Sequence, residues 1–272
     1  MTQVTEVGQC TIVQGDNLET LRLMPDCSVQ CCVTSPPYDK LRSYGGYVFD
    51  FDGCAKELYR VLCDGGVACW VVGDSVVDGG ETLTSAKQKI FFVEQCGFRV
   101  HDTMAYVKSN FSAPERVRYH QAWEYVFILS KGKPRCFNPL MDRPNIWAGH
   151  PGAFGKSTKR QADGTQKLLE SGTGVDKPIS EFGMRMNFWH GKTAGQERPC
   201  QPLDHPAQMP EWLAGDLILS WSNPGDTILD ICAGGGTTGV MAQRHNRKSI
   251  LLELNPDYVS LTAARLQKDL AK

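Results

Sequence analysis

Two strand ends, far apart in the chain, constrain this fold more than any other feature. The apolar run 29–33 closes on Thr34-Ser35-Pro36-Pro37-Tyr38, and the run 227–231 closes on Cys232-Ala233-Gly234-Gly235-Gly236-Thr237-Thr238. Prolines have no N–H to give to a sheet ladder, so the first run stops there. Glycines at a strand end allow the tight turn that starts a helix. Short apolar runs at 10–13, 67–72, 100–107, 125–129 and 249–253 also read as strands. Between them, Phe51, Cys54, Ala55, Leu58, Val61 and Leu62 recur at helical spacing, with Asp50 or Asp52 as cap and Gly65-Gly66 as the expected stop. A second helix is expected from near Thr237 to about Asn246. Strands alternating with helices predict an α/β fold: a mostly parallel twisted sheet with helices on both faces.

The net charge is only −1, but its distribution is uneven. Residues 131–200 carry twelve Lys/Arg against six Asp/Glu, a local +6 that leaves −7 elsewhere. Within that block, Gly155 to Pro178 is polar and nearly devoid of apolar residues, which predicts a loop that is mobile when unbound. Phe137, Trp147 and Phe154 before it, and Phe182, Phe188 and Trp189 after it, are candidate anchors of an inserted subdomain. The eleven cysteines are an odd number, and most lie in apolar runs, as reduced core residues do. Neither a CxxC pair nor a Cys/His cluster at zinc spacing occurs, so no metal is expected. With no 18-residue apolar run and no basic-then-apolar leader, a cytoplasmic protein is expected, neither membrane-spanning nor secreted.

The two strand ends suit complementary chemistries. The second has a glycine turn, a helix start that can receive a carboxylate, and Glu253 at the end of the next strand, where an acid reaches ribose hydroxyls. A pyrophosphate cradle would read GxGxxG, whereas here two threonines follow the glycines. S-adenosylmethionine (AdoMet), which has a carboxylate and a ribose but no phosphate, fits better. The stretch Gly155-Lys156-Ser157-Thr158 lacks the upstream glycine and strand of a P-loop. The first strand end offers a hydroxyl, carbonyls that no proline N–H competes for, and an aromatic face. Such a surface can hold a planar base by its amino group.

In this order the residues resemble the β class of DNA amino-methyltransferases, in which a Ser/Asp-Pro-Pro-Tyr motif precedes an Asp-x-x-x-Gly-x-Gly-Thr-Thr motif. The likeness extends to Gly15-Asp16, Glu57-Leu-Tyr-Arg60, His205-Pro206-Ala207, Ser222-Asn-Pro-Gly-Asp226 and Glu253-Leu-Asn-Pro256. It implies a Rossmann-like AdoMet-dependent fold in permuted order. Residues 1–133 would form the catalytic half, 134–200 a target-recognition insertion and 201–272 the AdoMet half. Ser35, Pro36, Pro37 and Tyr38 would hold the target base. Asp230, Cys232, Gly234, Gly236, Thr237 and Thr238 would hold the methionine end of AdoMet, Glu253 the ribose, Asp16 the adenine edge, and His205 to Ala207 would line the pocket. Where the family has Pro-Phe after the leading Asp, this chain has Ile231-Cys232, so the wall against the cofactor must be built differently.

The implied reaction moves the methyl group of AdoMet to the N6 of adenine or N4 of cytosine in double-stranded DNA. Ser before Pro-Pro leaves both bases open. Arg143, Lys156, Lys159, Arg160, Arg185 and Lys192 are candidate phosphate contacts. Many relatives are dimers, and a homodimer is compatible with the sequence. Pro199-Cys200-Gln201 matches the nucleophile motif of carbon-5 cytosine methyltransferases but precedes the glycine turn and lies in no strand. The alternatives are an RNA base methyltransferase and a non-catalytic DNA-binding relative.

Overall fold

The computed structural model describes residues 3–37, 48–111, 116–150, 158–168, 178–197 and 208–272. In chain order, the strands of the large sheet are β1 Gln3–Val7, β2 Cys10–Gln14, β3 Val29–Thr34, β4 Leu62–Val72, β5 Arg99–Lys108, β6 Trp123–Ser130, β7 Phe188–Gly191, β8 Thr227–Asp230 and β9 Lys248–Glu253. The helices are α1 Asn17–Leu23, α2 Phe51–Val61, α3 Thr84–Glu94, α4 Ala194–Glu197, α5 Glu211–Trp221, α6 Thr237–Arg244 and α7 Pro256–Leu270.

The strand order is β1-β2-β9-β8-β3-β4-β6-β5-β7. The run from β2 to β4 is parallel throughout, while β1 and β6 pair antiparallel with their neighbours. At the centre β3 lies against β8, although residues 35–226 separate them in sequence. Val29, Cys31, Cys32 and Val33 are fully buried, as expected of a parallel strand covered on both faces. From β3 the chain winds through α2 to β4; from β8 it winds the other way through α6 to β9. The gap between the carboxyl ends of β3 and β8 is therefore a topological switch point, where doubly wound sheets open a binding crevice.

One apolar cluster joins α1, α2 and α3 to the sheet, with Leu18, Leu21, Leu58, Trp70, Phe92 and Phe98 at its heart. Its aromatic rings meet edge to face, Trp70 to Phe92 at 4.9 Å and Phe92 to Phe98 at 5.4 Å. The indole N–H of Trp70 donates to Gln88 Oε1 at 2.8 Å, so its burial leaves no orphan donor. A second cluster packs Val240, Val259 and Leu266 of α6 and α7 onto Cys10, Ile12 and Leu251.

Asp50 caps α2, accepting from the Gly53 N–H at 3.0 Å. The expected stop at Gly65-Gly66 is corrected. The helix ends at Val61 and passes directly into β4, and the glycines lie within the strand, where its register with β3 shifts. Gly65 has φ +73°, and its N–H and C=O bond to Lys131 and Arg135. The pair therefore makes a bulge, a second common use of strand glycine.

Residues Pro139–Met186 form a separate compact unit. Within the polar stretch 155–178, Thr158–Arg160 and Gln166–Leu168 pair as an antiparallel hairpin. Asp163 accepts from both the N–H and the hydroxyl of Thr165 at 2.9 and 2.7 Å, closing the turn. Of the expected anchors, Trp147 and Phe182 are exposed within this unit. Phe188 and Trp189 belong instead to β7 on the large sheet, where Trp189 is buried. Phe137 stacks on Trp221 at 4.8 Å in the large unit, and Phe154 lies outside the described residues.

Candidate active site

Four strand ends converge on the crevice: β2 with Gly15-Asp16, β3 with Thr34 to Pro37, β8 with the glycine turn, and β9 with Glu253. The connection across its centre runs through Asp230. That side chain is buried, and its two oxygens accept from the hydroxyls of Thr34 at 2.7 Å and Thr238 at 2.6 Å, with the Cys232 N–H at 3.1 Å. Burial pushes the Asp230 carboxyl above its ordinary range, against the pull of these three donors. Its geometry is that of a clasp, fixing the strand end that carries Ser35-Pro36-Pro37 to the start of α6.

Glu253 fixes the other side. Its Oε2 accepts from Gly234 N–H at 2.7 Å and its Oε1 from Asn255 N–H at 2.8 Å, while Gly15 N–H donates to the Glu253 carbonyl at 3.0 Å. Each carboxylate oxygen has a second acceptor site beyond these bonds. Asp16 caps α1 by accepting from Glu19 N–H at 2.9 Å. Next to it the buried Asn17 reaches the Ile231 carbonyl at 3.3 Å and Cys232 Sγ at 3.4 Å, and receives the Cys54 thiol at 3.4 Å. This is how the Ile231-Cys232 wall is built. Ile231 joins the core, and Cys232, its thiol pushed far up by burial and so neutral, sits on the Asn17 amide.

The glycine turn is fixed from behind by α7. Thr262 donates to the Gly234 carbonyl at 3.0 Å, and the Arg265 guanidinium donates to the Gly235 carbonyl while contacting Glu211 at 3.2 Å. Gly236 caps α6 at φ +73°, and a Cβ there would lie 2.5 Å from Thr262 Cγ2. Gly236→Ala therefore combines left-handed strain with overlap against a buried side chain. We expect it to cost about 2–4 kcal/mol, measured by denaturant unfolding.

Of the expected site residues, the crevice brings together Asp16, Ser35, Pro36, Pro37, Asp230, Cys232, Gly234, Gly236, Thr237, Thr238 and Glu253. Tyr38, Lys156, Cys200, His205 and Ala207 lie outside the described residues. Lys192 is exposed just past the end of β7, its carbonyl accepting from Trp212 Nε1 at 2.8 Å. In the smaller unit, Lys159 and Arg160 are exposed on the hairpin, Arg143 donates to the Met184 carbonyl at 3.1 Å, and Arg185 pairs with Asp142. Asn17, Thr262 and Arg265 are site residues that no sequence pattern marks, whereas Thr34 stands inside the Thr34-Ser35-Pro36-Pro37-Tyr38 motif.

A switch-point crevice with a glycine turn on one strand, an acid on the next and Ser-Pro-Pro on the strand opposite defines an α/β methyltransferase of the amine-modifying kind. The chain belongs to the N6/N4 DNA methylase family, which it matches over residues 29–264. It is 44% identical over 244 residues to the orphan methyltransferase M.BamHII of Bacillus amyloliquefaciens, covering 89% of this chain and 90% of that protein. Its fold is that of PvuII DNA methyltransferase (cytosine-N4-specific), with a TM-score of 0.65 at 19% identity over 97% of this chain and 91% of the other. The M1.HpyAVI–SAM complex superposes with a TM-score of 0.61 at 21% identity over 94% and 98%. The expected fold and family are thus borne out, and the protein is a site-specific DNA methyltransferase of the N6-adenine or N4-cytosine class. Among the described residues, no helix is long and apolar enough to cross a membrane.

Proposed function

We propose that this enzyme methylates the exocyclic amine of a base flipped out of duplex DNA, with Ser35 and the Pro36 carbonyl as acceptors and Tyr38 as stacking partner. The observation that carries the reading is the Thr34–Asp230–Thr238 clasp, which holds the base-binding strand end and the cofactor-binding turn in one rigid frame. The crevice fits AdoMet by the chemistry of its groups. The first turn of α6 presents N–H groups without intrahelical partners, suited to a carboxylate, and Glu253 keeps acceptor sites suited to a ribose diol. When bound, AdoMet supplies an electrophilic methyl group.

The protein's own contribution is positioning. A base amine conjugated into its ring is a poor nucleophile. Acceptors at Ser35 and Pro36 draw its hydrogens into line and its lone pair toward the methyl group. Stacking on Tyr38, worth about 1–3 kcal/mol, offsets part of the few kcal/mol that extrusion costs. The nitrogen becomes acidic on methylation, so no strong base is required. We assign the enzyme to the cytoplasm, where its reduced cysteines and DNA coexist.

The test is product identification: incubate with AdoMet and unmethylated duplex, digest to nucleosides and weigh the product. N6-methyladenine or N4-methylcytosine is the expected result, and the absence of both with cofactor binding intact would refute the reading.

The smaller unit supports duplex contact. Lys159 and Lys167 stand directly opposite on the hairpin, an arrangement that like-charge repulsion disfavours unless an anion lies against it. Changing either to Ala should weaken DNA binding on every sequence and lower the salt slope of log K by about one. An unchanged slope counts against the contact.

A pH dependence follows from Glu253. Burial pushes its carboxyl above the ordinary 4.5, against the N–H groups of Asn255 and Gly234. On acidification it therefore loses its charge, and with it part of its acceptor capacity, while surface carboxylates remain ionised. AdoMet affinity should fall through that window. Stability moves the other way. The folded state holds the Glu253 proton more tightly than the unfolded chain, so this group's contribution improves as pH falls from above its folded pKa toward 4.5. Calorimetric titration and melting across the range check both signs, and Glu253→Gln should flatten the affinity profile.

A further inference from the structure

Among the described residues, the connection between β5 and β6 carries the most exposed large apolar side chains of the unit that holds the crevice. Tyr119 is 99% and Val117 86% exposed, with the exposed Arg116 beside them. Single exposed apolar residues are ordinary. Three features set these apart.

First, the loop that presents them is braced. Lys108 N–H donates to the Ala122 carbonyl at 2.6 Å at its base, Phe111 stacks on His120 at 4.1 Å and 19°, and the Arg118 guanidinium donates to the Gly79 carbonyl. Tyr119 and Val117 therefore stand in water on a supported shoulder.

Second, the loop rises on the catalytic side of the sheet. Because β6 and β5 are antiparallel to each other, their connection lies at the carboxyl end of β4, the end that also carries Ser35. Thr34 is level with Trp70, and Trp70 with Phe127. The shoulder is thus rooted two strands from the base-binding strand end, about 10 Å to the side. It begins beyond the Trp123–Val107 pair, four residues further out and so about 13 Å above that level. A helix of DNA resting over the crevice would meet it.

Third, the composition suits one partner. An aromatic and a β-branched side chain beside the exposed Arg116 is the pattern of a wedge that parts stacked bases while a cation holds the adjoining phosphate.

We propose that the shoulder 116–120 enters the duplex at the target, with Tyr119 taking up the stacking space that the extruded base leaves. This rests on the reading that the enzyme acts on a base flipped from duplex DNA. It assigns the opening of the stack to this loop, and the reception of the base to Ser35-Pro36-Pro37-Tyr38.

The test compares the wild type, Tyr119→Ala and Tyr119→Phe on two duplexes carrying the enzyme's site, itself found by mapping methylation left by the wild type. In one duplex the target base is paired. In the other it stands opposite an abasic position and is already unpaired. Melting temperature and AdoMet affinity of the variants should match the wild type, since Tyr119 touches neither core nor crevice. Tyr119→Ala should methylate the paired duplex about tenfold more slowly and return to near wild-type rate on the unpaired one, whereas Tyr119→Phe should keep the wild-type rate on both. No loss on the paired duplex, or an equal loss on both, overturns the proposal. A wild type that methylates no duplex at all defeats the reading beneath it, and the proposal with it.

Discussion

Asp230→Ala should abolish AdoMet binding and destabilise the fold by about 3–5 kcal/mol. The side chain is buried and satisfies two hydroxyls and one backbone N–H. Its removal leaves the buried hydroxyl of Thr34 without its acceptor, at about 1–3 kcal/mol, leaves that of Thr238 only the long bond to the Val33 carbonyl at 3.4 Å, and opens a cavity in the crevice floor. It also releases the strand end of Ser35 from the helix start of Thr238, so the two halves of the crevice lose their common reference. Asp230→Asn keeps the volume and one acceptor and removes the cost of burying a charge, so its loss of stability should be smaller. Urea unfolding and calorimetry decide the matter: an alanine variant that folds normally and binds AdoMet would show that the clasp is dispensable.

Ser35→Ala should leave both stability and AdoMet affinity unchanged and lower kcat by roughly 10²–10³, the usual effect of deleting one preorganised hydrogen-bonding group. Ser35 is half-buried at the crevice, just past the end of β3, and its neighbour Thr34 rather than Ser35 makes the structural bond. The hydroxyl is therefore free to act on the base amine. Single-turnover rates at saturating DNA separate a lost acceptor from weakened binding. A variant with wild-type turnover would remove Ser35 from the chemistry, and one with raised KM alone would make it a binding contact.

Much of this architecture was legible in the sequence because parallel central strands are buried on both faces and read as unbroken apolar runs. Cys31 to Val33, and Ile228 with Leu229, are of that kind. The edge strand β1 was not legible, since Val4 and Glu6 face water and only pairing with β2 makes the segment a strand. Nor was α7, whose short buried stripe of Val259, Thr262 and Leu266 includes a hydroxyl. That hydroxyl turned out to fix the glycine turn. The site was legible as residue types at spacings, and its partners were not. That Asp230 closes on Thr34 depends on β3 lying beside β8, a non-local pairing that no local pattern encodes. The basic hairpin was hidden for the opposite reason: its strands are three residues long and polar but for Leu168, so they carry no apolar alternation to read.

The β3–β8 pairing has a consequence for how the protein is made. During translation β3 is complete long before its central neighbour exists. At ribosomal speeds the interval between residues 34 and 227 lasts roughly 10–40 s. Through that time β3 lacks its central neighbour, and its mostly apolar edge is open to pairing with other chains. That liability ends only when the last strands arrive. A chain interrupted before residue 227 holds the Ser-Pro-Pro strand end without the glycine turn, and so only one side of the crevice.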